Sequence, residues 1–292
     1  MKRNYLILAF IATIAIGFSF AFNSCKKEKI ETTIAIDKSS TSNLNIGETA
    51  TATITIVSEQ ISSFKYYKVV DEVKGDAVDV KADLTQNGST YTYNFSYVLQ
   101  EFDDLGTLGF EFEVIDNSQV KKTTALVVNM NLSIQSMLVK YDWKVTASTD
   151  PVWGDVLSAA DAAIIYRFHT DGTYDEDLSA QYAEDSHHFC YWVYKETPSN
   201  GDTISIMRLV RRLKSGDTAV DEYYDYKIIA AGESEMSMYW EIPVWGLKIT
   251  NTFTSRPKGA FQPYGTTENA AIVNANTALS CTNVAPGVLI IP

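Results

Sequence analysis

Ser89-Thr-Tyr-Thr-Tyr-Asn-Phe-Ser-Tyr97 places Tyr91, Tyr93, Phe95 and Tyr97 two residues apart, with small polar residues between them. A helix would scatter these rings around its axis. A strand, whose side chains alternate between faces, gathers all four on one side. The same period runs through Glu48 to Val57, where Thr alternates with Ala or Ile, and through Phe110-Glu-Phe-Glu-Val114. The pattern predicts strands near 31–37, 48–57, 62–70, 77–84, 89–98, 109–115 and 119–129. Asn45-Ile-Gly47, Lys74-Gly75-Asp76 and Gln86-Asn87-Gly88 serve as turn signals between them. Short alternating strands at this density predict an antiparallel β-sandwich over residues 31–130.

The segment resembles the immunoglobulin-like domains of bacterial surface proteins, a generic likeness that implies a fold and no site residues. Residues 130–140 form the expected boundary, with one helical turn at Ser136-Met-Leu-Val-Lys140. Beyond it the alternation resumes, predicting strands at 141–147, 163–169, 173–178, 188–195, 203–212, 221–230, 235–240 and 247–254. Asp171-Gly172 marks a hairpin between two alternating runs. Eight sequential strands with one bulky face predict an all-β, eight-stranded up-and-down barrel over 136–258, a closure that also removes sheet edges. The expected interior is Trp143, Tyr166, Phe168, Trp192, Ile206, Tyr224, Tyr226, Met236, Met238, Trp240, Ile249 and Phe253.

Asp142-Trp143-Lys144, Tyr166-Arg-Phe-His-Thr-Asp-Gly-Thr-Tyr174, Tyr191-Trp192 and Glu235-Met-Ser-Met238 resemble the bacterial lipocalin-like domain. That resemblance implies a barrel behind a lipoprotein signal, with room for a small ligand. It also implies that the tail, 259–292, packs on the barrel and is fastened there by Cys281 to Cys190. From the residues alone, a Cys190–Cys281 disulfide and two separate thiols both stand.

In an up-and-down barrel the loops near 148–162, 179–187, 213–220 and 241–246 emerge at one end. Two of them carry the same tetrapeptide, Pro151-Val-Trp-Gly154 and Pro243-Val-Trp-Gly246. Trp153 and Trp245 are therefore expected at a rim, as a clamp for a flat, apolar or sugar ligand or as a hydrophobic lid. Trp192 and Trp240 are expected inside. Arg208, in phase with Ile204 and Ile206, either points inside to anchor an acidic ligand or is turned outward by a bulge. An eight-stranded barrel barely holds one small ligand, so a filled, structural or adhesive barrel is the alternative to a hollow one.

Lys2 and Arg3 precede an apolar run from Tyr5 to Phe22, the layout of a secretory leader over residues 1–24. Phe22-Asn23-Ser24-Cys25 resembles a bacterial lipoprotein signal, which implies lipidation at Cys25 and a tether over 25–30. The membrane, reached through that lipid, is then a partner, and the outer membrane, on its periplasmic or surface face, the expected location. Cys190 and Cys281 remain as an even pair in an oxidising compartment.

The formal net charge is −12, which repels phosphate backbones and excludes nucleic acid as the natural partner. No Gly-x-Ser-x-Gly, P-loop or dinucleotide fingerprint occurs, so no enzyme activity and no cofactor are expected. His187, His188 and Cys190 put two ligands at most on one strand face, short of a structural zinc set, so no metal is expected. Asp171, Asp175, Glu176 and Asp177 lack EF-hand spacing and read as a hairpin with a solvated acidic strand. Asp202-Thr-Ile204 and Asp217-Thr-Ala219 resemble acceptors for bacterial O-glycosylation.

Overall fold

A computed structural model describes residues 29–177, 186–199, 201–215 and 218–260. The leader, Cys25, most of the tether, Asp217, Cys281 and the tail beyond residue 260 fall outside the described residues. The described residues are mostly strand, arranged in antiparallel sheets with one short α-helix among them.

Strands β1 (Thr33–Ser40), β2 (Thr49–Val57), β3 (Ile61–Val70), β4 (Val73–Asp79), β5 (Thr85–Asn87), β6 (Thr90–Val98), β7 (Leu108–Asp116) and β8 (Lys121–Val128) build two four-stranded sheets. Their orders are β1-β2-β6-β5 and β4-β3-β7-β8. The alternation on β2 works as the sequence predicts: Ala50, Ala52, Ile54 and Ile56 are buried, and the threonines between them face outward. Small residues there leave room for rings from the facing sheet. Ala52 pairs with Phe95, and Phe95 packs on Phe110 at 4.6 Å and edge-on to Phe112 at 5.2 Å between ring centroids. The aromatic face read from residues 91–97 is thus the inter-sheet core.

One strand begins earlier than the pattern suggests. Asp71 and Glu72 take positive φ values of 48° and 68°, a two-residue turn whose twist suits a tight hairpin. β4 therefore starts at Val73, and Lys74-Gly75-Asp76 lies inside the strand instead of forming a turn.

Helix α1 (Ile134–Lys140) joins the two halves, capped by Ser133 Oγ, which accepts from the Ser136 amide at 3.2 Å. The β6–β7 loop reaches it. Asp103 anchors that loop, accepting from Lys68 Nζ at 2.6 Å, Tyr97 Oη at 2.9 Å and the Gln100 amide at 2.8 Å. Its neighbour Asp104 accepts from the Ser133 amide and the Ser136 hydroxyl on the helix. Phe102 and Leu105 from the same loop pack into the second core beside Met137, Leu138 and Val139.

The second half comprises β9 (Asp142–Asp150), β10 (Gly154–Asp155), β11 (Ile165–Phe168), β12 (Tyr174–Asp177), β13 (Ser186–Glu196), β14 (Ile204–Ser215), β15 (Thr218–Ala231), β16 (Glu235–Ile242) and β17 (Leu247–Arg256). They form one antiparallel sheet in the order β12-β11-β9-β17-β16-β15-β14-β13, with β10 paired to β9. Last strand pairs with first, so the sheet curls into a half-barrel. Among the described residues the closed cylinder expected from the sequence is not completed. β11 has four residues against eleven in β13. Among the described residues the β12–β13 seam is crossed by the Thr173–Cys190 bridge and by the Tyr191 amide donating to the Gly172 carbonyl at 2.9 Å.

Trp143, Phe168, Tyr191, Met207, Met236, Met238 and Phe253 fill the end of the half-barrel nearest α1. The far end is differently furnished.

Candidate functional site

A bulge sets up the far end. Phe253 pairs with Val145 but Thr252 pairs with Ala147, so Thr146 is the extra residue on β9. The shift moves Ser148 and Asp150 onto the concave face, where both are buried. There a cavity of about 300 Å³ opens, at the lower end of the range for small-molecule sites. Its aromatic walls are Tyr166, Tyr174, Tyr224, Tyr226 and Trp240, with Trp240 edge-on to Tyr224 at 5.5 Å. Ser148, Asp161, Glu176 and Asn251 supply the other polar groups, and Val145, Leu209 and Ile249 the apolar ones.

The hairpin reading of residues 167–177 holds, but the acidic strand is not solvated on both faces. Tyr174 and Glu176, 1% and 2% exposed, face inward, while Asp175 faces out and bonds His169 Nε2 at 2.8 Å. Among the described residues no Lys, Arg or His lines the cavity.

The sequence-derived site residues divide three ways. Trp240 lines the cavity as expected. Trp192 and Arg208 do not: they lie on the convex face, as does Ile206. Cross-strand partners share a face, and Trp192 pairs with Arg208, which pairs with Asp225. Arg208 binds Asp225 through two bonds of 2.6 and 2.7 Å, and Trp192 packs on Cys190 and Val210. The concave positions on these strands are Tyr191, Val193, Met207 and Leu209. Cys190 is disulfide-bonded on that convex face, while Cys281 lies outside the described residues.

Trp153 and Trp245 stand at the rim, 73% and 71% exposed, so neither is a lid over the core. Each sits in a hairpin turn closed by a glycine in the left-handed region, Gly154 at φ 77° and Gly246 at φ 64°, where a Cβ would be strained. One carboxylate ties both turns: Asp150 accepts from the amides of Val152 at 2.8 Å, Trp153 at 3.0 Å and Lys248 at 3.4 Å. The Val152 amide first, then those of Trp153 and Lys248, hold its pKa below the ordinary carboxylate value.

A folded pKa below the unfolded value of about 3.9 means that Asp150 contributes stability above that pH and loses it as pH falls further. The midpoints of wild type and Asp150→Ala are therefore expected to differ at pH 7 and to converge below about pH 4. A difference that persists undiminished at pH 2 would refute this role.

A larger cleft, about 610 Å³, lies at the opposite end of the sandwich near Lys29 and Asp116. Its polar groups serve one another. Thr32 Oγ1 donates to Asp116 at 2.6 Å, the Val120 amide donates to the same carboxylate at 2.9 Å, and Ser58 Oγ donates to the Gln60 carbonyl at 3.1 Å. We favour the half-barrel cavity as the site.

Among the described residues no group of three or more His, Cys, Asp or Glu side chains could hold a metal ion. No helix among them is long and apolar enough to cross a membrane.

No family model and no curated protein matches this chain. Among solved structures, it is similar to the sporulation control protein Spo0M of Bacillus subtilis, at 7% identity, 66% coverage of this chain, 90% of that one and a TM-score of 0.28. It is also similar to a DUF4466 family protein from Parabacteroides merdae, at 11% identity, 79% and 100% coverage and a TM-score of 0.25.

Proposed function

We propose that the chain is an exported lipoprotein, anchored to the outer membrane through Cys25, that binds a small hydroxyl-bearing ligand without catalysis. In this reading the paired four-stranded sheets are an immunoglobulin-like stalk and the half-barrel is a lipocalin-like binding domain. The observation that carries the proposal is the cavity lining. Aromatic rings stand there beside phenol, carboxylate, amide and hydroxyl groups, an amphipathic lining that suits a ligand with both polar groups and apolar faces. A sugar or similar polyol carries both, hydroxyls for the polar groups and C–H faces for the rings. This lining favours the glycan member of the two ligand classes read from the sequence, and the space itself argues against a filled, purely structural barrel.

Native mass spectrometry of protein isolated from its source cells is expected to find a polar adduct. Glu176→Gln, nearly isosteric, should weaken its retention about tenfold or more, since hydrogen bonds to a charged group carry roughly 1.5–3 kcal/mol. An adduct of lipid character, or none, overturns the proposal.

A further inference from the structure

The chain enters the sandwich through a locked segment. Thr32 and Ser58 are both buried; Thr32 Oγ1 donates to Asp116 at 2.6 Å and lies 3.0 Å from Ser58 Oγ. One residue earlier, Glu31 pairs with Lys122 at 3.4 Å. Lys29 and Ile30 then line the cleft of about 610 Å³ at this end of the sandwich, beside Gln60, Gly88, Asn117 and Ser118. Lys29 is four residues from Cys25, and four residues reach about 14 Å at full extension. The other end of the sandwich is fastened to the half-barrel. Phe102 and Leu105 enter the second core, and Asp104 bonds Ser133 and Ser136 at the start of α1. β7 runs from that joint to the cleft and β9 runs from α1 to the tryptophan tips. Each has nine residues and so spans about 30 Å, which puts the tips on the order of 50 Å from the cleft.

We propose that the cleft end of the sandwich is the surface that rests on the lipid headgroups, so that the chain stands upright with its half-barrel turned to the aqueous side. This rests on acylation at Cys25, as proposed above. A leash of four residues keeps the cleft end at the bilayer and cannot carry the far end back to it. Charge favours the same posture. Residues 26–29 hold three lysines against one glutamate, whereas the whole chain carries −12. Anionic headgroups attract the first and repel the acidic body. The cavity, at the far end of the half-barrel, then takes its ligand from the aqueous side and not out of the bilayer. A chain lying flat would instead bring Val152, Trp153, Val244 and Trp245, 71–90% exposed, into the same membrane.

The test uses the full chain, isolated with its lipid and bound to vesicles of phosphatidylcholine and phosphatidylglycerol. Ser118→Cys, at an exposed position beside the cleft, carries a fluorescent dye. With a leash reach of about 14 Å, that dye should lose about half or more of its emission when the headgroups bear a spin-label quencher. Tryptophan emission, all of it from the half-barrel, should not change when the acyl chains are brominated. Quenching of tryptophan by the brominated chains, or an unquenched dye on bound protein, overturns the upright posture and leaves the anchor standing. Failure of the wild type to bind vesicles, or binding that Cys25→Ser retains, overturns both.

Discussion

Trp143→Ala is expected to destabilise the half-barrel by about 3–5 kcal/mol, the range for truncating a large buried ring. The indole is 1% exposed and meets Tyr141 edge-on at 6.2 Å. It donates from Nε1 to the Leu138 carbonyl at 3.2 Å, in the last turn of α1. Truncation thus opens a cavity and leaves a buried carbonyl at the helix end without its donor. Tryptophan emission makes a selective probe, because all five indoles lie in the half-barrel, from 143 to 245. The urea midpoint followed by emission should fall by about 2 M, given a slope of roughly 1–3 kcal/mol per molar urea. Trp143→Phe keeps most of the volume and loses only the N–H, so its cost should be about 1 kcal/mol. Equal losses in the two variants would mean that the hydrogen bond, and not the ring, holds helix to barrel.

Strand positions were legible because burial on one face writes a period of two into the chain, and most strands of both halves lie where that period puts them. β4 was one exception. Its turn is made by Asp71-Glu72, residues that tolerate positive φ without advertising it, whereas the Gly in Lys74-Gly75-Asp76 suggested a turn that the chain does not make. Closure was overread for a related reason. Alternation tells which residues share a face but not how long a strand stays paired, and β11 pairs over only four residues.

Which face is inward is harder to read where both faces are apolar. β14 carries Ile206 and Val210 on one side and Met207 and Leu209 on the other, so the phase that puts Arg208 inside is as good on paper as the one that puts it out. The cross-strand register decides it, through Asp225. Glu176 was missed because three acids in four residues look solvated. Its signal was its spacing from Tyr174, two residues away on a strand whose tyrosine had to be inside. Ser148 and Asp150 depend on the bulge at Thr146, which no local residue announces.

Asp142→Ala is the second large effect expected, about 3 kcal/mol, the lower end for breaking a buried pair because Arg167 keeps some contact with water. Asp142, 2% exposed, takes Arg167 Nε at 2.7 Å and Nη2 at 2.8 Å, a planar two-point contact that lysine could not make. The same pair grips the chain as it leaves β17: Arg167 Nη2 donates to the Gly259 carbonyl at 3.0 Å, and the Gly259 amide approaches Asp142 at 3.4 Å. Removing the acid takes the two-point carboxylate partner from the Arg167 guanidinium and loosens that exit together. Removing both charges strands nothing, so Asp142→Asn with Arg167→Gln should recover most of the loss, a coupling that a double-mutant cycle reads directly. Additive losses would mean that the two residues act through separate packing. The four-residue β11 would then owe its place to its backbone pairing with β9 and not to this ion pair.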